Sequence, residues 1–146
     1  MVLCVSNIIK EGNALEIELT DGWYCIRTVI DELLKFQVKI SKIVIGTKLI
    51  VQNAELLNCD GCHPLELPNH VRLRINYNCT RRATWYSKLG FQKDMKPFPV
   101  SLGGLHSDGG GVGCIRIHIF RVYPIRYLEK CEMGKSGNRL IRKNCE

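Results

Sequence analysis

A cluster of basic and aromatic residues is the strongest chemical signal in this chain. Arg81, Arg82, Trp85, Tyr86 and Lys88 fall within eight consecutive positions. Single-stranded nucleic acid is held by cations on its phosphates and by aromatic faces on its bases, and this cluster supplies both. Large aromatic side chains in loops are also commonly packed. The alternative interpretation is that Trp85 and Tyr86 anchor a long loop onto the domain while the charges are solvated.

A second basic group is predicted on the outward faces of two strands. Arg27 lies four residues after Trp23 on the same predicted outward face, and Arg72 and Arg74 alternate along a later segment. Side chains two residues apart in a strand share one face. The candidate nucleic-acid contacts are therefore Trp23, Arg27, Arg72, Arg74, Arg81, Arg82, Trp85 and Lys88.

Cys59 and Cys62 form a C-x-x-C pair that is followed directly by His63. Two thiolates at this spacing can bind zinc or act as a redox pair. A structural zinc site needs two more ligands, and His63, His70 and Cys79 do not form a second clean pair. The pattern favours a pair of loop thiols, and no metal or cofactor is predicted.

Other catalytic and phosphate-binding patterns are incomplete. The glycine-rich stretch 107–113 has no following helix N-terminus and no G-K-[ST], so it is interpreted as a turn that enters a strand. There is no G-x-S-x-G, and no histidine stands with an acid in a known signature. His118 is interpreted as structural, and Glu16 and Glu18 as solvent-facing. The chain is not predicted to be an enzyme.

The overall charge favours an acidic partner. The 146 residues suffice for one domain, and 21 Lys and Arg against 14 Asp and Glu give a net charge of +7. Such a balance suits nucleic acid, an acidic protein or a membrane surface. No long apolar run predicts a membrane span, and the first residues do not form a signal peptide. Most of the 8 cysteines are therefore interpreted as reduced thiols.

Alternating hydrophobicity predicts five or six short strands and one small helix, which favours a small barrel or a sandwich. Asp21-Gly22 predicts a hairpin turn, and Asp31 predicts the N-cap of a helix that runs to about Gln37. Long loops are expected at 58–69 and 78–111, and a short helix and a tail after Tyr127. The predicted strands are 1–9, 14–20, 23–30, 47–53, 71–77 and 114–123.

Five sequence words occur in fixed order: ELTDGWY at 18–24, AEL at 54–56, PLELP at 64–68, WYSKLGF at 85–91 and PFPVSLGGLHSDGGGVGC at 97–114. Together they resemble the first oligonucleotide/oligosaccharide-binding (OB) domain of the breast cancer type 2 susceptibility protein family. The resemblance covers about residues 1–129. It implies an all-β fold at 1–130, a five-stranded Greek-key OB-fold barrel with one short helix and a long ordered loop. A basic C-terminal tail is expected at 131–146.

The resemblance implies a non-enzymatic module of a nuclear mediator of double-strand break repair by homologous recombination. In that family a helical domain precedes this fold, and two further OB folds follow and make most contacts with single-stranded DNA. The first fold packs on the helical domain and helps bind a very small acidic protein, the split-hand/split-foot (proteasome lid) subunit. Repeats that this chain lacks bind the strand-exchange recombinase.

Two hypotheses follow for this chain. In the first, it binds single-stranded DNA itself, since the exposed face of the second and third strands of an OB fold often forms the ligand groove. Trp23 and Arg27 would lie in that groove. In the second, it is a protein-interaction platform, on which the basic surface and the loop around Pro97-Phe98-Pro99 dock a helical neighbour and an acidic partner.

Overall fold

The computed structural model describes residues 1–12, 14–93, 96–125, 127–129 and 139–141. The chain divides into two compact units, Met1–Arg116 and Ile117–Glu146. In the described part of the chain, no helix has both the length and the apolar character needed to cross a membrane.

The first unit is built on one seven-stranded sheet. Its strands are β1 (Val2–Glu11), β2 (Ala14–Thr20), β3 (Cys25–Ile30), β4 (Lys48–Val51), β5 (Glu55–Leu57), β6 (Arg72–Ile75) and β7 (Thr80–Arg82). They lie in the order β5-β6-β3-β2-β1-β4-β7. Neighbouring strands are antiparallel, except that β3 and β6 run parallel. The second unit contains an antiparallel pair, β8 (Tyr127–Glu129) and β9 (Arg139–Ile141).

The buried face of the sheet follows the alternation in the sequence. Along β2, Leu15, Ile17 and Leu19 are buried, whereas Glu16 and Glu18 lie on the other face. The period of two therefore places one apolar row in the core. The core cluster consists of Leu3, Val5, Leu15, Ile17, Leu19, Ile30, Leu34, Val38, Ile43, Leu49, Val51 and Ile75.

The helix α1 (Glu32–Lys39) closes one side of this core. Asp31 is its N-cap, as predicted, and one carboxylate oxygen accepts the backbone N–H of Leu34 at 2.8 Å. The other carboxylate oxygen accepts the backbone N–H of Tyr77 at 2.6 Å. Asp31 thus fixes the start of the helix and the segment that follows β6, while Leu34 and Val38 are buried against the sheet.

The prediction of a five-stranded closed barrel is wrong in strand number and in closure. Seven strands form one open sheet in the described part, with β5 and β7 as its two edges. Both edge strands have only three residues. β7 fell within the loop predicted at 78–111, and β5 fell between the strand predicted at 47–53 and the loop predicted at 58–69. A period of two cannot be recognised in so short a run. These residues are strands because β5 pairs with β6 and β7 pairs with β4.

The strand predicted at 114–123 is also wrong. Ile115 makes a single bridge to Val100, and the described residues up to Ile125 form no strand. Alternation specifies which side chains share a face, but it does not specify a hydrogen-bonding partner. The short helix expected after Tyr127 is likewise not observed in the described residues there, which form β8 and β9.

Candidate nucleic-acid interface

The β2–β3 turn presents Trp23 to solvent. One oxygen of the Asp21 carboxylate accepts the backbone N–H groups of Trp23 and Tyr24, each at 2.9 Å. The bonds from Tyr24 and then Trp23 lower the pKa of Asp21 because they stabilise its charged form. Gly22 has φ +101°, a conformation that favours glycine. The turn is therefore fixed by its own sequence, and the Trp23 side chain is 90% exposed.

A second turn, at 84–87, presents Trp85 and Tyr86. The Ser87 N–H donates to the Thr84 carbonyl at 3.1 Å, and the two hydroxyl groups of these residues lie 2.7 Å apart. The Lys48 ammonium donates to the carbonyl oxygens of Trp85 and Ser87, both at 2.7 Å. The two aromatic rings meet edge to face, with centroids 5.8 Å apart.

Trp85 is 85% and Tyr86 71% exposed. These side chains do not anchor the loop onto the sheet, contrary to the alternative considered for them. The anchor is the backbone instead, through Lys48 and through the Ala83 N–H, which donates to the Lys48 carbonyl at 2.8 Å.

The segment that follows the second turn lies beside the first turn. Val2 at the start of β1 exchanges both backbone hydrogen bonds with Gly90, at 2.9 and 2.7 Å. A Cβ atom on Gly22 would lie 3.6 Å from Cδ1 of Leu89. The segment that carries Trp85 therefore runs beside the turn that carries Trp23. We call the exposed aromatic residues on these two turns and on the segment after the second turn the aromatic surface: Trp23, Trp85, Tyr86 and Phe91.

Three cationic residues accompany the aromatic surface. Arg82 lies three residues before Trp85, and Lys88 and Lys93 flank the 83% exposed side chain of Phe91. All three cations are exposed. Exposed cations beside exposed aromatic rings can hold phosphates and bases of one strand together.

Arg81, in contrast, is part of the fold. Its guanidinium donates to the carbonyl oxygens of Tyr77 at 3.2 Å and Thr80 at 2.9 Å. It also lies 5.4 Å from the ring centroid of Phe98 and 5.7 Å from that of Tyr77. This half-buried arginine therefore ties β7 to the segment around Phe98.

The remaining predicted arginines lie elsewhere on the sheet. Arg72 pairs with Glu16 at 3.2 Å, and Arg74 with Glu55 at 3.3 Å. Arg27 is exposed on β3 and lines, with Arg72, a polar groove of about 360 Å³. In the sheet, β2, β1 and β4 separate β3 from β7. The structure thus leaves Arg82, Trp85 and Lys88 exposed on the segment 82–88 and Trp23 exposed on the turn beside Leu89. It holds Arg81 within the fold and pairs Arg72 and Arg74 with carboxylates on other strands, while Arg27 lies on β3, which begins two residues after Trp23.

Sequence reasoning missed Phe91, Lys93 and Lys48. Phe91 ends the word WYSKLGF, but a lone phenylalanine in a loop gives no sign of whether it is packed or exposed. Lys48 is far from Trp85 in the chain, so its contact with that turn exists only in the folded molecule.

The glycine-rich stretch folds around a buried asparagine. The Asn78 amide donates to the carbonyl oxygens of His106 and Gly110, both at 2.9 Å, and accepts the His106 N–H at 3.1 Å. A Cβ atom on Gly109 would lie 2.7 Å from the Asn78 side-chain oxygen. The glycines therefore allow close packing on Asn78, and the stretch does not lead into a strand.

Within the described residues, no three His, Cys, Asp or Glu side chains are grouped so that they could hold a metal ion. Cys59 is half-buried and Cys62 is exposed. Cys59 and Cys62 are therefore free thiols in a surface loop.

Seven strands in one sheet with one helix, and exposed aromatic and basic side chains at the turns, define a mostly-β domain with a candidate binding surface. The chain matches the family described as BRCA2, oligonucleotide/oligosaccharide-binding, domain 1, over residues 1–93, and it belongs to that family.

Two relatives are both from Arabidopsis thaliana. The chain is 34% identical to Protein BREAST CANCER SUSCEPTIBILITY 2 homolog A and 33% identical to homolog B, over 152 aligned positions in each case. Each alignment covers 93% of this chain but 13% of the relative. The chain therefore spans a small part of the length of these relatives.

Proposed function

We propose that this chain is a non-enzymatic OB module of a nuclear mediator of double-strand break repair by homologous recombination, and that it binds single-stranded DNA weakly through the aromatic surface. Its family membership supports the repair setting and a binding role. The observation that carries the DNA-binding proposal is the exposure of Trp23 and Trp85, 90% and 85%.

Four large aromatic side chains are exposed to water on the β2–β3 turn and on the segment 84–91, which favours a ligand that covers them. A base stacked on one such ring contributes about 1–3 kcal/mol, whichever base it is. Arg82, Lys88 and Lys93 place positive charge beside the rings. The surface is suited to bind a strand through stacking and phosphate contacts, with little sequence preference.

The test is a titration of a labelled single-stranded oligonucleotide at about 50 mM and about 200 mM salt. Three phosphate contacts should give a slope of about −2 in log K against log salt, since each contributes about −0.7 on a single strand. Trp23→Ala and Trp85→Ala should each weaken binding by about fivefold or more, as expected for one lost stacked base. Circular dichroism would establish that both variants are folded.

A matched pair of arginine variants locates the site. Arg82→Ala and Arg74→Ala each remove one positive charge from an exposed side chain. Arg82 lies three residues before Trp85 in the chain, whereas Arg74 lies on β6 and pairs with Glu55. We expect Arg82→Ala to weaken binding and flatten the salt slope, and Arg74→Ala to change neither. Equal effects of the two variants, or a flat salt response of the unaltered chain, would contradict the proposal.

A second candidate function is that of a protein-interaction platform. The exposed Phe91 side chain and the exposed Pro97 and Pro99 favour it, because apolar groups at a surface also suit a protein neighbour. The proposed partners are an adjacent helical domain, further OB domains and the small acidic split-hand/split-foot protein. The recombinase would be bound by regions other than this chain. Sedimentation of the chain with and without the acidic protein tests this function, and a sedimentation coefficient that the acidic protein leaves unchanged would exclude that partner.

A further inference from the structure

The loop between β5 and β6 carries two cysteines on one tight turn. In the sequence Cys59-Asp60-Gly61-Cys62, the Gly61 N–H donates to the sulfur of Cys59 at 3.4 Å. Gly61 has φ +151°, a backbone conformation that side chains rarely adopt. The turn folds the chain back over Cys59, which places the Cys59 sulfur near enough to the Cys62 thiol to influence its pKa.

The ends of this loop are also held together. Asn58, at φ +64°, donates from its side-chain amide to the His70 carbonyl at 3.1 Å. Further along, the His63 ring accepts the Leu65 N–H at 3.3 Å at the start of a short 3-10 turn, Pro64–Glu66. The two sulfur atoms are therefore neighbours within a loop whose path is set by polar contacts on both sides.

We propose that Cys59 and Cys62 form a reversible disulfide, with a low-molecular-weight disulfide of the glutathione class as the oxidant. One thiol loses its proton, and its thiolate attacks a sulfur of the oxidant, forming a mixed disulfide and releasing one small thiolate. The thiolate of the second cysteine then attacks the sulfur of the first cysteine in this mixed disulfide. The attack forms the Cys59–Cys62 bond and releases the second small thiolate. The oxidant gains two electrons and leaves as two small thiols, which take up the two protons.

The environment of Cys62 predicts how the reaction depends on pH. Partial desolvation, and then the hydrogen bond to Cys59, raise the pKa of the Cys62 thiol. Less of it is thiolate at neutral pH as a result, and the thiolate is the reactive form. Disulfide formation should therefore accelerate as the pH rises above 7.

Oxidation would alter a cavity in the fold. Cys62 lines an apolar cavity of about 260 Å³ together with Leu56, Leu67 and Cys25. A bond to Cys59 would fix the Cys62 side chain in that wall. Cys25 faces the same cavity, so a Cys25–Cys62 bond is the competing product that the experiment must distinguish.

The test equilibrates the purified chain with glutathione and glutathione disulfide at several ratios, then blocks free thiols with iodoacetamide. We expect two of the 8 cysteines to escape alkylation, and peptide mapping to place the bond within one peptide that contains Cys59 and Cys62. Reduction with dithiothreitol should make both cysteines available for alkylation again. Cys59→Ser and Cys62→Ser should each abolish the bond, whereas the matched control Cys25→Ser should retain it.

A second probe examines the reduced pair directly. Phenylarsine oxide bridges two neighbouring thiols, so one equivalent should bind the reduced chain and be lost in either loop variant. Three results would overturn the proposal: a Cys25–Cys62 peptide, a mixed disulfide with glutathione that does not resolve, or arsenical binding that survives Cys59→Ser. Circular dichroism of each variant shows whether the fold is retained.

Discussion

The side-chain ammonium of Lys48 donates a hydrogen bond to the backbone carbonyl of Trp85 at 2.7 Å, although 37 residues separate them in the sequence. A second bond, to the carbonyl of Ser87, has the same length. Strand β4 thereby holds the turn that exposes the Trp85 ring. The half-buried Lys48 therefore positions the turn that carries Trp85, although Lys48 is not itself part of the aromatic surface.

Replacing Lys48 tests this positioning role. Lys48→Met removes both hydrogen bonds and frees the turn, so we expect single-stranded DNA to bind about fivefold more weakly, equivalent to about 1 kcal/mol. Lys10→Met is the control, because it also removes one positive charge but lies near the end of β1 that is remote from Cys4, the residue that pairs with Lys48. Similar losses in both variants would mean that net charge, and not the held turn, decides the affinity.

Arg81 should matter for stability. Its guanidinium contacts two carbonyl oxygens and two aromatic rings, so Arg81→Ala should lower the free energy of unfolding by about 1–2 kcal/mol. Arg82→Ala, at the exposed neighbouring position, should leave stability nearly unchanged. Urea unfolding of both variants measures the difference. An unchanged midpoint for Arg81→Ala would argue against its structural role.

The close packing of Gly109 on Asn78 predicts that one added methyl group lowers the stability of the fold. A Cβ atom at position 109 would lie 2.7 Å from the side-chain oxygen of the buried Asn78, so Gly109→Ala should destabilise the fold by about 1–3 kcal/mol. A Cβ on Gly111 would meet nothing within 4 Å, so Gly111→Ala serves as the matched control. Thermal unfolding should give a lower melting temperature for Gly109→Ala than for Gly111→Ala. Equal melting temperatures would show that the loop shifts to accommodate the added methyl group.

The β2–β3 turn should contribute stability that depends on pH. The backbone N–H groups of Tyr24 and Trp23 lower the pKa of Asp21 below 3.8, so folding favours the charged carboxylate. This contribution is fully present at pH values above the pKa of Asp21 in the unfolded chain. It is lost as the pH falls through the lower pKa of Asp21 in the folded chain. The difference in stability between the unaltered chain and Asp21→Ala should therefore be constant near neutral pH and shrink below about pH 4.

Urea unfolding of the two proteins between pH 7 and pH 3 measures that difference, and the exposed Trp23 on the same turn offers a local fluorescence signal. A difference that grows as the pH falls would reverse the predicted sign.

Several elements could be predicted because their information is local. The alternation of Leu15, Ile17 and Leu19 predicts β2 with its bounds, and Asp31 predicts the start of α1. A hairpin turn at Asp21-Gly22 follows from residue type alone. In each case a few neighbouring residues decide the conformation, so the pattern and the structure agree.

The candidate site could be predicted only in part. Residue types in 81–88 indicated a nucleic-acid surface, but they could not separate Arg81, which is held by carbonyl groups and rings, from the exposed Arg82. Nor could they show that Arg72 and Arg74 pair with carboxylates supplied by other strands. Such partners are distant in the chain and become neighbours only through strand pairing.

The sequence by itself determined the alternation along β2, the turn at Asp21-Gly22, the helix cap and the types of side chain available for binding, because these depend on residues close together in the chain. Tertiary structure alone decided the order of the seven strands, the edge positions of β5 and β7, and the meeting of the Trp23 turn with Leu89. It also decided which charges are exposed. These features depend on contacts between segments far apart in the chain, and only the packing of the shared core brings those segments together.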